Sequence, residues 1–455
     1  MTAFRRVAPA VIVSLLATRP VLAELPASPE PEDPHLAALV EEALAKNPDL
    51  LAVQEAVAAA RERPDQARSL ADPMVSVAYT NDGWSPSLGA RDMTTLAIMG
   101  SQVLPWPGKR RLRGEIAGLE ADAIGPQLDR VKLGLTAAVK RAYWSLVLAQ
   151  ELKTLIDEQE ETWREIEGVA RARYAVGQGA QQDVLRVQVE QTRIGQLQAE
   201  QQAEADVRRA ELNRLLARSA DAPFESTGHL ALRLDARSAE ERLAEAEAAS
   251  PELRAGVVAI DRARLAASLA RKDFRPDFTV QAGYMNRGRL DPMWQAGVGI
   301  TLPIYRKRLT SGLAEAEARS RESTRRLEST RLQLRFRTQE RLAQLRTADT
   351  VARLYGDGII PQGQMSVEAA IASYQAGKVP FISVLEALST LYGDRSTRLR
   401  VLASRERIQA SLDEASLEAT SEMPAGGAPP VMSLGAGTAG ATSAGGAMAS
   451  GGMGK

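Results

Sequence analysis

Four short segments of the chain alternate apolar and small polar residues with a period of two. Val75, Val77 and Tyr79 oppose Met74, Ser76, Ala78 and Thr80, and Leu96, Ile98 and Leu104 oppose Thr95 and Ser101. Phe278, Val280, Ala282 and Tyr284 oppose Thr279, Gln281, Gly283 and Met285. Trp294, Ala296, Val298, Ile300 and Leu302 oppose Gln295, Gly297, Gly299 and Thr301. One apolar face at period two predicts a β-strand in each segment. At about 8–10 residues, each matches a tilted strand that crosses an outer membrane. The aromatic residues sit at segment ends, with Tyr79, Tyr284 and Trp294 near one rim and Trp106 and Tyr305 near the other. That is the arrangement of the two aromatic girdles of a membrane barrel. Two hairpins half buried on a soluble core would show the same alternation. The small, polar opposite face favours the barrel.

Between the strand pairs the period changes. After Gly108 a helix is predicted to about Tyr174, with apolar positions stepping by three and four through Leu128, Val131, Leu135, Ala138, Ala142, Ser145, Ala149, Leu152 and Ile156. Such a helix approaches ~100 Å at ~1.5 Å per residue. Gly125-Pro126 predicts a kink or a helix join, because Pro has no N–H and clashes with the preceding turn. Partner helices are predicted over about 181–217 and 381–415, and shorter leading helices over about 36–70 and 240–273. A stripe of this kind needs neighbours, from this chain or from further copies.

The chain is also written twice. Asn47-Pro48-Asp49-Leu50 parallels Ser250-Pro251-Glu252-Leu253, and Leu104-Pro105 parallels Leu302-Pro303. Tyr174, Gly177, Val184 and Leu185 recur as Tyr374, Gly377, Val384 and Leu385 at one constant spacing. The expected domains are two similar halves, 35–223 and 240–415. The fold class is α+β, mostly α: a duplicated coiled-coil tunnel with four membrane strands.

Composition adds exclusions. Lys and Arg number 57 against 57 Asp and Glu, which argues against a nucleic-acid binder. With no Cys there is no disulfide and no thiolate site, and two distant histidines, His35 and His229, make no metal centre. No nucleophile–base constellation stands out, so no enzyme and no cofactor are expected. Arg5, Arg6, the apolar run from Val7 and Val21-Leu22-Ala23 read as an export signal over 1–23. An acidic, Pro-rich linker follows over 24–34, and 416–455 reads as a disordered Gly/Ala/Met-rich tail.

Four strands cannot close a barrel, and open edges in lipid leave backbone groups unsatisfied. Three copies supply about twelve strands, within the range of known barrels. The loops 81–94 and 286–293 then face outside, and the Gly177 and Gly377 turns lie at the far periplasmic end.

The signal, the duplicated helix–hairpin–helix–helix plan and the two Tyr-x-x-Gly turns resemble the TolC-like outer-membrane efflux proteins. The run Gln102-Val103-Leu104-Pro105-Trp106-Pro107-Gly108-Lys109-Arg110 looks most like their heavy-metal efflux branch. The resemblance implies a homotrimeric channel-tunnel in the outer membrane with a long periplasmic extension. Its partners would be outer-membrane lipid, a periplasmic adaptor and an inner-membrane transporter of the RND type. It would passively export small molecules or metal ions. The alternative is a periplasmic scaffold or adaptor without a pore, but no lipoyl-like module accompanies the helices.

The resemblance also implies site residues. Asp183 and Tyr374 match a gate link between coiled coils, while an arginine that often helps that link is replaced by Val379. Ser383 and Glu386 match the acidic rings of a lumen constriction, so one carboxylate of that pair is missing. Arg171, Tyr174 and Gly177, with Ser373 and Gly377, lie where adaptor tips dock.

Overall fold

The computed structural model describes residues 34–87 and 92–415. The expected signal, the tail and the linker, apart from Pro34, lie outside the described residues. Helices α1 (Pro34–Lys46), α2 (Pro48–Arg61) and α3 (Arg63–Arg68) lead into strands β1 (Met74–Thr80) and β2 (Thr95–Leu104). Helices α4 (Lys109–Asp122), α5 (Ile124–Ala175) and α6 (Gln181–Leu215) follow. The order then returns as α7 (Ala239–Ala249), α8 (Pro251–Lys272), β3 (Asp277–Arg287), β4 (Leu290–Thr301), α9 (Arg306–Leu354), a π-helical turn (Tyr355–Ile359), α10 (Ile360–Gln375) and α11 (Phe381–Asp413).

The leading helices are more broken than expected. The single helix predicted over 36–70 is three helices, and that over 240–273 is two. Asn47 is the cause of the first break. Its side-chain oxygen accepts from the N–H groups of Asp49 (3.0 Å) and Leu50 (3.3 Å), and Pro48 opens the new helix. Its amide donates to the Leu215 carbonyl at 3.0 Å, tying this corner to the end of α6. Ser250-Pro251 repeats the device, with Ser250 accepting from Leu253 at 3.4 Å. The Asn/Ser-Pro half of the duplicated motif is therefore a capped helix start.

The long helix joins at Ala123, three residues before Pro126, so that Pro occupies the first turn of α5, where no N–H is needed. Its second-half counterpart widens into a π turn across Tyr355-Gly356-Asp357-Gly358-Ile359, just before Pro361. Pro361 cannot donate and clashes with the carbonyl four residues earlier, and two glycines soften the turn that absorbs this. The helix α5 alone runs 52 residues, about 78 Å at 1.5 Å per residue.

The strands form one antiparallel sheet in the order β1-β2-β3-β4. The loop expected over 286–293 is shorter: β3 and β4 continue through it, and Gly288-Arg289 makes the turn, Gly288 at φ 70°. Register aligns the alternating apolar positions of the four strands. Val77 faces Ile98, Ile98 faces Tyr284, and Tyr284 faces Trp294. Leu104 faces Phe278, which faces Ile300. One face of the sheet thus carries most of the Val, Ile, Leu, Tyr and Trp residues, with Gln102 among them, and the other carries Ser, Thr, Gln, Gly and Met, with Val103 among them.

The core lies among the helices. One cluster packs Val139, Tyr143, Leu146 and Val147 of α5 against Leu36 and Leu39 of α1, Leu212 of α6 and Leu402 of α11. A second, toward the Gly177 and Gly377 turns, packs Trp163 and Ile166 against Val187, Phe381, Val384 and Leu388. Where sheet meets helices, buried Lys109 donates to Asp277 at 3.0 Å and to the Arg275 carbonyl at 3.1 Å. The Trp106 backbone N–H donates to the same Asp277 carboxylate at 2.7 Å, so this clamp joins the two halves.

Candidate functional site: the helix tips and the sheet face

Each long helical hairpin turns through the same motif. Gly177 N–H donates to the Tyr174 carbonyl at 3.0 Å and Gln178 N–H to the Arg173 carbonyl at 2.9 Å. Gly377 and Lys378 repeat this with Tyr374 and Ser373, both at 2.9 Å. These are two Schellman closures, and Gly177 (φ 75°) and Gly377 (φ 70°) hold the left-handed position they require. Arg171 is exposed and pairs with Glu167 at 2.6 Å. Ser373 gives its carbonyl to the turn.

The two tyrosines, equivalent in sequence, are not equivalent in space. Tyr174 is 49% exposed and Tyr374 4%. Tyr374 packs edge-on against Phe381, ring centroids 5.4 Å apart, and its hydroxyl donates to Asp183 at 3.1 Å. Burial, then the Asp183 carboxylate, pushes its phenol up to about 12. Asp183 stands in the first turn of α6, where a carboxylate also favours the helix dipole. The structure therefore brings Asp183 and Tyr374 together, from residues 191 apart.

Sequence reasoning missed a third member. The Arg173 guanidinium lies over the Tyr374 ring, 4.6 Å from its centroid. One of its terminal N–H groups donates to the Gln178 carbonyl at 2.9 Å. Arg173 thus touches both tips. The available signal was its place beside Tyr174, with Ser373 as its counterpart. Ser383 and Glu386 lie near the start of α11, away from buried Val384 and Leu388, and Glu386 is exposed with no ion pair to a described residue.

At the sheet, the apolar side chains are the uncovered ones, inverting the rule for a protein surrounded by water. Val298 is 70% exposed and Trp294 81%, and Tyr79, Tyr284, Leu302 and Tyr305 are exposed with them. Trp106 differs. It is half-buried, stacked on Phe278 at 5.9 Å with Arg275 over its ring at 5.8 Å. No helix among the described residues is long and apolar enough to cross a membrane.

The model of the family described as "Outer membrane efflux protein" matches residues 39–218 and 243–416. The cobalt-zinc-cadmium resistance protein CzcC of Cupriavidus metallidurans is 26% identical over 311 residues, 67% of this chain and 73% of CzcC. Among solved structures, CusC superposes with a TM-score of 0.71 at 20% identity, covering 84% of this chain and 92% of CusC. VceC of Vibrio cholerae gives 0.70 at 19% identity, covering 84% and 95%. With its open apolar sheet, its paired hairpin tips and a family match over both halves, the chain belongs to the outer membrane efflux protein family: it is an outer-membrane channel protein, not an enzyme.

Proposed function

We propose that three copies close their sheets edge to edge into a twelve-stranded barrel, continued by helices into a periplasmic tunnel. The carrying observation is the sheet itself: one exposed face dominated by Val, Ile, Leu, Tyr and Trp, with β1 and β4 as free edges. An apolar face of this size needs lipid, and free edges in lipid need partners. The duct passively exports small molecules or metal ions delivered by an inner-membrane pump, of the RND type, through a periplasmic adaptor. The kinship to CzcC favours the heavy-metal branch. Tyr79, Tyr284, Trp294 and Tyr305 serve as the girdle.

Asp183, Tyr374 and Arg173 serve as the latch that holds the tips in the closed arrangement. Arg171, Tyr174, Gly177, Ser373 and Gly377 present the adaptor-docking surface. Glu386, with Ser383 one turn before it, makes the acidic constriction. Three carboxylates around an axis repel one another and attract cations. Single-channel recording of the purified protein in a planar bilayer tests the reading. Uniform, long-lived openings are expected, blocked by multivalent cations, with block weakened in Glu386→Gln. A folded protein that conducts nothing overturns the duct, and equal block in the variant removes Glu386 from the constriction.

A further inference from the structure

The polar face of the sheet carries a feature that a water-lined wall does not require. Met74 lies on β1, Met99 on β2, Met285 on β3 and Met293 on β4, all on this face. Met74 faces Ser101, two residues from Met99, so the two methionines are diagonal neighbours. Met99 faces Gly283, two residues from Met285, and Met285 faces Met293 directly. Diagonal pairs lie about 7–8 Å apart at the backbone, and direct pairs about 4.5–5.5 Å, within reach of long side chains. The methionines therefore hold neighbouring positions across all four strands. The Met99 side chain lies over the bare Gly283 backbone, where a Cβ would come within 2.9 Å of its Cγ.

Packing does not account for the ends of the line, while Met99 and Met285 between them are half-buried. Met74 is 65% exposed and Met293 48%. The apolar face, where a hydrophobic role would put methionine, has none among the described residues. Around the line stand the neutral Ser76, Ser101, Gln281 and Gln295, while Asp277, Arg287 and Asp291 sit at the ends of their strands, Arg287 donating to the Asp92 carbonyl at 2.8 Å. Hard cations find no carboxylate cluster there and borderline ones no imidazole. Thioether sulfur selects soft cations such as Cu(I).

We propose that this methionine ladder is a binding site for soft monovalent metal cations, Cu(I) or Ag(I), on the inner wall of the barrel. It deepens the duct reading and rests on the polar face being the lumen. The probe is Ag(I) as nitrate, in nitrate electrolyte, applied to the full-length protein in a planar bilayer. Wild-type current is blocked reversibly. The variant Met74→Leu/Met99→Leu/Met285→Leu/Met293→Leu, whose swaps nearly conserve volume, needs about tenfold more Ag(I) for half block. Zn(II) block is the same in both proteins. Equal Ag(I) sensitivity of the two, no Ag(I) effect on a conducting wild type, or joint loss of Zn(II) and Ag(I) block each overturns the ladder. Should the quadruple variant fail to fold, Met99→Leu and Met285→Leu alone must each weaken the block. If the wild type conducts nothing, the duct reading fails. Ag(I) titration calorimetry in detergent then decides the ladder separately, since heat that survives the four substitutions, or its absence in wild type, rejects it.

Discussion

Asp183 and Tyr374 hold one another through a single hydrogen bond, and Arg173 caps the pair. Removing a partner of a bond to a charged group costs about 1.5–3 kcal/mol, less where water reaches the half-exposed carboxylate. Asp183→Ala and Tyr374→Phe should therefore both raise resting conductance in bilayer recordings. Arg173→Ala should do so as well, and Arg173→Lys only partly restores closure, because an ammonium lacks the flat stacking surface of guanidinium. Conductance unchanged in all three would leave the contact a packing detail. The phenol adds a pH signature. Its pKa is raised in the folded chain, from 10.0 to about 12. The folded state then holds the proton more tightly, so the bond's contribution is whole below pH 10 and is lost as pH rises through about 12. Leakage should rise across that window in the wild type and be flat in Tyr374→Phe. The family resemblance pointed to two members of this latch, Asp183 and Tyr374. Arg173 escaped because its role exists only when two hairpins meet, and no local period records that meeting.

Among the elements, the strands were the most legible part. A period of two is local, and every apolar position assigned to one face, from Val75 to Ile300, lies on one face. What a period cannot give is where an element stops. The Asn47 and Ser250 caps cut helices whose apolar stripe runs on, and Gly288 turns the β3–β4 hairpin inside a stretch that reads as loop. Trp106 reads as an exposed girdle residue, yet Phe278 and Arg275 cover its faces, contacts set by residues far along the chain. The hairpin turns allow a direct test. A Cβ at Gly177 meets nothing within 4 Å, and at Gly377 only the Arg173 guanidinium at 3.5 Å. Each Gly→Ala should therefore cost only the left-handed backbone strain, about 1–2 kcal/mol. Chemical denaturation with a probe near the tips should report that loss. A neutral result would mean the turns relax out of the Schellman form.

At the scale of the whole molecule, the inverted sheet makes a prediction about faces. Val298→Arg puts a charge on the exposed apolar face, where about 2–4 kcal/mol is expected near a bilayer midplane. Gln281→Arg, on the adjacent strand but the opposite face, should be tolerated. Membrane fractionation and folded yield compare the two, and equal tolerance would mean that lipid does not cover that face. The tips carry the other consequence. The two halves present turns of one design but unlike surroundings, Tyr174 open and Tyr374 closed in. Three copies in a ring would set these turns alternately, so the end of the tunnel would offer two kinds of seat in strict alternation, each repeated at every third of a full rotation. A partner built from identical units would then face a choice of stoichiometry. It could occupy one kind of seat and leave the other vacant, or fill both by adopting two poses with unequal affinity.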